Sequence, residues 1–183
     1  MFTGIIENFV PVLKVTESSL VIKNLFGSDL KIGQSIACNG ACLSVSSFTN
    51  EEISFDVLSE TFRKTNLAET RFINIERAML ANGRFEGHVV LGHIDEVIIF
   101  LEKKEEISGI EFIFSLPKNT KYLVEKGSIC LNGISLTIGN ITDQSFSVFL
   151  IPLTLKHTNF EKINIGDRIS LEYDYLGKLL LSQ

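Results

Sequence analysis

The chain is written twice. Ser35-Ile36-Ala37-Cys38-Asn39-Gly40-Ala41-Cys42-Leu43-Ser44-Val45 lines up with Ser128-Ile129-Cys130-Leu131-Asn132-Gly133-Ile134-Ser135-Leu136-Thr137-Ile138 at an offset of 132 − 39 = 93. Five of the eleven pairs are identical, and Cys42/Ser135, Ser44/Thr137 and Val45/Ile138 exchange like for like. The same offset carries Thr61 onto Thr154 and Thr65 onto Thr158. Asn74-Ile75-Glu76 answers Ser170-Leu171-Glu172 at 96, and Gly4-Ile5-Ile6-Glu7 answers Gly92-His93-Ile94-Asp95 at 88. Four blocks in one order argue for duplication. The expectation is two similar domains, residues 1–86 and 87–183, joined near residues 82–87.

Each half reads as short strands. Residues 10–15, 20–25, 35–38, 42–48 and 53–57 are rich in Val, Ile and Phe, and Gly, Asn, Ser and Glu-Glu punctuate them. Such spacing points to an all-β sandwich or barrel, and a closed barrel removes the edge strands that so small a β domain would expose. Asn39-Gly40 and Asn132-Gly133, flanked by apolar runs, predict tight hairpin turns with positive φ. A short helix is expected after the fifth strand of each half, over residues 59–65 with Ser59 as its cap, and over 152–158 with Pro152 in its first turn.

Composition narrows the function. With 17 basic and 22 acidic side chains the net charge is −5, and Lys103-Lys104 is followed at once by Glu105-Glu106, so a nucleic-acid partner is not expected. No apolar run is long enough to span a membrane. Residues 1–7 lack the basic start of a signal peptide, which predicts a cytoplasmic protein. Three cysteines, Cys38, Cys42 and Cys130, cannot all pair and form no CxxC. Cys38 and Cys130 read as small buried hydrophobes, and no metal site is expected.

The candidate chemistry lies beside the Asn-Gly turns. Alternation puts Cys42 with Ser44, and Ser135 with Thr137, on one face of their strands. A thiol and hydroxyls sharing a face suggest the lining of a small-molecule site, with strand-mouth backbone free to pair with a heterocyclic amide. His88 and His93 are five residues apart, an odd spacing that places them on opposite faces of a strand. His93 stands where the first half has Ile5, so the barrel does not require it, and an imidazole side chain suits proton transfer near neutrality. His88 divides evenly between a structural and a functional reading, and His157 reads as solvated. Glu76 and Glu172, in apolar strands, need partners. Arg77 is the near neighbour of Glu76, and Arg168 and Lys178 are the candidates for Glu172.

Met1-Phe2-Thr3-Gly4-Ile5-Ile6-Glu7, Asn39 to Val45, Glu60-Thr61, Asn74 to Ala78, Gly87-His88-Val89-Val90-Leu91-Gly92-His93-Ile94-Asp95, Lys126 to Ile129 and Gly133 to Thr137 together resemble the alpha chain of riboflavin synthases, a family that includes the lumazine proteins. The resemblance runs through nearly the whole chain. It implies two tandem six-stranded antiparallel Greek-key barrels and a C-terminal helix that gathers three chains into a homotrimer. It implies dismutation of two molecules of 6,7-dimethyl-8-ribityllumazine into riboflavin and 5-amino-6-(D-ribitylamino)uracil without a cofactor, and an association with lumazine synthase. One lumazine would bind in each barrel, and the working site would form between chains. The first pocket would use Gly4, Ile5 and Ile6, Cys42, Leu43 and Ser44, and Asp56, Val57, Leu58, Ser59, Glu60 and Thr61. The second would use Gly92, His93 and Ile94, Lys126, Ser135, Leu136 and Thr137, and Leu150, Ile151, Pro152, Leu153, Thr154 and Leu155. Ser135 or Cys42 would add to, or polarise, position 7 of a lumazine. His93 with Thr137 would handle the methyl proton, Phe2 would reach toward the neighbouring pocket, and Thr3 would join the ligand contacts.

Three positions depart from the family pattern. Asn132 replaces the usual Asp, Leu91 replaces a common Ser, and only 183 − 172 = 11 residues follow Glu172, enough for a helix of two turns. Lumazine proteins, which bind the chromophore without turning it over, are the alternative. They generally depart from the double-histidine pattern that is intact here. A flavin-binding barrel of an oxidoreductase is a weaker reading, with no G-x-G-x-x-G fingerprint to support it.

Overall fold

Strands separated by Gly, Asn and Ser turns have two ways to satisfy their edges, and each half takes the closed one. In the computed structural model, which describes residues 1–106 and 109–181, the first half carries β1 (Asn8–Val15), β2 (Ser19–Lys23), β3 (Ser35–Cys38), β4 (Ala41–Phe48), β5 (Glu52–Asp56), α1 (Ser59–Lys64) and β6 (Phe72–Arg77). The second carries β7 (Glu96–Glu106), β8 (Gly109–Ser115), β9 (Ser128–Leu131), β10 (Ile134–Ile141), β11 (Ser145–Leu150), α2 (Pro152–Lys156), β12 (Arg168–Tyr173) and α3 (Tyr175–Leu181). The first barrel closes in the order β1-β2-β5-β4-β3-β6, and the second in the equivalent order β7-β8-β11-β10-β9-β12. All pairs are antiparallel, with β2 returning beside β5 and β6 beside β3 in Greek-key fashion. Register shifts fall at matching places, in β1 and β7 and in β4 and β10, where bulges bend the wall enough to close.

Inward side chains fill both barrels. Val10, Leu20, Ile22, Ile36, Ile53, Phe55, Ile73 and Ile75 pack the first. The second is aromatic: Phe100, Phe112, Phe114, Phe146 and Phe160 stack with ring centroids 5.3–6.1 Å apart. Burying each such ring contributes about 1.5–3 kcal/mol. Both interiors are filled by these side chains, so the polar side chains open to a ligand lie on the outer walls. Leu43 and Val45 point inward and are buried, so Cys42 and Ser44 face outward on β4. Ser135 and Thr137 do the same on β10.

The barrels meet at their Asn-Gly turns. Asn39 and Gly40 have φ of 44° and 84°, and Asn132 and Gly133 have 46° and 83°, the type I′ geometry read from the sequence. The tips touch: a Cβ on Gly133 would lie 2.8 Å from the Gly40 nitrogen, so only glycine fits. Around them runs a buried amide network. Asn39 Nδ2 donates to Asn66 Oδ1 (3.0 Å), Asn66 Nδ2 to Asn132 Oδ1 (3.0 Å), Asn74 Nδ2 to Asn159 Oδ1 (2.9 Å) and Asn159 Nδ2 to Asn39 Oδ1 (3.0 Å). Asn132 Nδ2 alone among these amides is buried without a partner.

Three expectations are corrected here. Phe2 does not reach outward; it is fully buried against Ala37, Val90 and Cys130 and bridges to Val90 by backbone hydrogen bonds. Apolar area outweighs its position near the start of the chain. The cap of α1 is Leu58 rather than Ser59, and it makes no side-chain cap bond. Arg77 pairs with Glu7 and Asp29, not with Glu76, and Arg168 and Lys178 pair with Glu69 and Asp95, not with Glu172.

Candidate active site

Glu76 and Glu172 show how the sites are assembled. Glu76 on β6 accepts hydrogen bonds from Thr3 N (2.7 Å), Thr3 Oγ1 (2.8 Å) and Gly4 N (2.9 Å). Glu172 on β12 accepts from Leu91 N (2.7 Å), Gly92 N (2.9 Å) and His93 N (3.0 Å). Burial raises both carboxyl pKa values, and the donated N–H groups oppose that rise. Each glutamate therefore fastens the loop that opens its own half.

That loop lies on the other half. The Ser135 N–H donates to Gly4 O (2.8 Å), and the Cys42 N–H donates to Gly92 O (2.9 Å). Ile6 packs on the core of the second barrel and Ile94 on the core of the first. A Cβ on Gly4 would lie 2.7 Å from Ser135 Cβ, and one on Gly92 would lie 2.5 Å from Cys42 Cβ. Both glycines also have positive φ, 77° and 85°.

This exchange corrects the partition drawn from the sequence. The first outer-wall site joins Cys42 and Ser44 to Gly92, His93 and Ile94. The second joins Ser135 and Thr137 to Gly4, Ile5 and Ile6. The repeat alignment pairs equivalent residues, but it does not say which copy of a loop covers which wall. The strand registers Val45↔Phe55 and Ile138↔Val148 bring the segments from Asp56 to Thr61 and from Leu150 to Leu155 alongside their respective walls. There Val57 and Leu150 are buried, whereas Leu58, Ile151 and Leu153 form exposed apolar lips, 76%, 55% and 65% accessible. Ser59, Glu60 and Pro152 are exposed, while Leu136 is buried with the second core and Thr154 and Leu155 are half-buried. Lys126, exposed and at φ 65°, donates its N–H to Ile138 O (3.0 Å) beyond Thr137. Thr65 Oγ1 donates to Thr61 O (2.7 Å) and Thr158 Oγ1 to Thr154 O (2.8 Å), which gives the repeated threonines a shared role at the ends of the short helices.

The two histidines part company across these sites. His93 is exposed beside Cys42's loop, so within one chain it belongs to the first wall and Thr137 to the second. His88, left undecided by its sequence context, is 8% exposed, and its Nδ1 lies 2.7 Å from Ser135 Oγ. Burial lowers its pKa, with Asp174 opposing. The structure thus brings His88, which the sequence left evenly divided between a structural and a functional reading, against Ser135. The five-residue spacing held the signal, since opposite faces of this segment address different sites. Cys38 and Cys130 are buried free thiols, with pKa values pushed up by burial.

Each wall thus offers a flat apolar lip, backbone donors and acceptors, a thiol or hydroxyl pair, and an imidazole. That set suits a planar heterocycle and proton transfer on it. Clefts of about 610 and 850 Å³ open elsewhere, beside Asn66 and Arg168 and beside Asp29 and Arg77, and neither touches these residues.

A family described as the lumazine binding domain matches residues 3–78 and 91–174, once per half. The riboflavin synthase of Actinobacillus pleuropneumoniae is 42% identical over 98% of this chain and 88% of its own length. Those of Bacillus subtilis and Schizosaccharomyces pombe are 38% and 37% identical, covering 98% and 97% of this chain and 88% and 91% of theirs. Among solved structures, LumP complexed with 6,7-dimethyl-8-(1′-D-ribityl) lumazine superimposes with a TM-score of 0.84 at 20% identity, over 94% of this chain and 98% of that one.

Proposed function

Because this chain belongs to the riboflavin synthase family of lumazine-binding proteins, we infer that it dismutates two molecules of 6,7-dimethyl-8-ribityllumazine into riboflavin and 5-amino-6-(D-ribitylamino)uracil. One observation carries the reading furthest. The chain presents two equivalent walls, each covered by the other half's loop, and a reaction between two copies of one substrate needs two such places.

The residues divide the work as follows. Backbone groups near Gly4 and Gly92 orient the pteridine, and the lips at Leu58 and Ile151 cover its apolar edge. Holding donor and acceptor face to face supplies much of the acceleration by orientation. The 7-methyl anion delocalises over the ring, so a base of ordinary strength suffices, and we assign that part to His93. The reaction needs no cofactor.

The walls are open, and within one chain His93 and Thr137 lie on different barrels. The complete site is therefore formed when the first wall of one chain meets the second wall of another, in a homotrimer gathered by α3. Leu176, Leu179 and Leu180 on that helix are 56%, 48% and 77% exposed, as an assembly surface requires. The protein acts in the cytoplasm and associates there with lumazine synthase.

Purified protein given the lumazine alone is expected to form riboflavin, seen as its longer-wavelength absorbance, with no added metal or nucleotide. Stoichiometric binding of unchanged lumazine would overturn the enzyme reading in favour of a chromophore carrier.

A further inference from the structure

The repeat leaves one buried donor over. In the first half, Asn39 Nδ2 donates to Asn66 Oδ1. At the repeat offset of 93 the equivalent pair is Asn132 and Asn159, and that bond is not made. Asn159 Oδ1 accepts from Asn74 Nδ2 (2.9 Å), an amide whose place in the second half is taken by Ser170. Every other polar atom of Asn132 is engaged. Its N–H donates to Ser170 O (2.8 Å), and its carbonyl accepts from Asn74 Nδ2 (2.9 Å). Its Oδ1 accepts from Asn66 Nδ2 (3.0 Å) and Ser170 N (2.9 Å), so turning the amide over would only set N–H against N–H. Asn132 is 1% exposed, and a buried N–H without an acceptor is costly.

Asn132 lies on the floor of the cleft of about 610 Å³, which residues of both halves line. Arg71, Lys162 and Arg168 stand around it with Glu69 and Asp167, three cations against two carboxylates on a chain of net charge −5. Glu69 is engaged by Arg168, and Asp167 accepts from the Asn164 N–H (2.8 Å). Arg71 makes no ion pair among the described residues, and Lys162 has only its exposed neighbour Glu161. Such a set asks for a ligand whose oxygens accept hydrogen bonds and carry negative charge. Phe72 and Ile163, both half-buried, add an apolar wall, and the volume suits a small organic molecule. We propose that this cleft binds a phosphate group, free or carried on a small organic body, held by Asn132 Nδ2 and by Arg71 and Lys162, one from each half. The amide of Asn132 suits an anion where the family's usual Asp would set a carboxylate against it. The site lies apart from both walls and stands or falls independently of the dismutase reading.

The test titrates full-length, nitrogen-15-labelled protein with inorganic phosphate and with phenyl phosphate, sodium chloride holding the ionic strength fixed. Both are expected to shift the Asn132 side-chain amide signal saturably, that signal being assigned by its loss in Asn132→Asp. Calorimetry should find phenyl phosphate bound about tenfold more tightly than the bare ion, because its ring meets Phe72 and Ile163. Asn132→Asp and Arg71→Glu should each weaken phenyl phosphate at least about tenfold. Lys104→Glu makes the same change of charge as Arg71→Glu at the far end of β7 and should weaken it less than about twofold. If Asn132→Asp does not fold, Arg71→Glu and Lys162→Glu, both on exposed side chains, carry the test by calorimetry. Equal affinity for the two probes would support the site with the free ion as its ligand. An Asn132 signal that neither probe moves would overturn the proposal and leave that donor to an ordered water. Equal weakening by Lys104→Glu would overturn it too, since the binding would then follow surface charge alone.

Discussion

Gly92 and Gly4 carry more of the site than any residue that could react. Each lies in the left-handed region and within what would be a clash of the strand that carries Ser135 or Cys42, which lets one half's loop lie directly on the other half's wall. Gly166 has a similar φ of 93° with nothing near it, so it separates the two costs. Gly166→Ala meets backbone strain alone, about 1 kcal/mol. Gly92→Ala adds a Cβ 2.5 Å from Cys42 Cβ, and should cost about 2–4 kcal/mol and abolish turnover. Urea unfolding midpoints of the two variants measure the difference, and equal shifts would show that the loop gives way freely.

Among the elements, the short helices are placed rather than stable. Helices of six, five and seven residues have little propensity to form alone, and the threonine-to-carbonyl bonds at Thr65 and Thr158 tie off α1 and α2. The last helix, α3, has no buried residue, but Lys178 Nζ reaches Asp95 Oδ1 at 2.5 Å and holds it against the second barrel. Leu180→Ser should leave the melting of an isolated chain within about 0.5 kcal/mol, as surface changes do. It should also lower the solution mass and cut riboflavin formation about tenfold or more. Unchanged mass and activity would remove α3 from the assembly surface.

At the scale of the whole molecule, the buried amide seam ties the two barrels together and should make them unfold as one cooperative unit. Asn74 donates to Asn132 O and Asn159 Oδ1 and accepts from Asn159 N (2.6 Å), so its side chain spans the seam. Removing it leaves buried groups unpaired at about 1–3 kcal/mol each. Calorimetry should give a single transition for the wild type, and Asn74→Ala should lower it as one peak by about 2–5 kcal/mol. Two peaks, of which only one moves, would mean that the halves unfold independently.

Local features of this chain were legible before any coordinates. Duplication, strand periodicity, both type I′ turns and the outward pairs Cys42/Ser44 and Ser135/Thr137 all depend on neighbours a few residues apart, and an eleven-residue block records those directly. The assignment of loop to wall was not legible, because Gly4 and Gly92 are equivalent in the alignment and only the packing of the two barrels decides which strand each one meets. Phe2 became a seam residue, and Glu76 took the Thr3 and Gly4 amides instead of Arg77, for the same reason: burial of apolar area and the need to satisfy buried N–H groups act through space. The pairing of His88 with Ser135 likewise joins residues 47 apart, and it exists only because the closed second barrel brings the connecting segment back across β10.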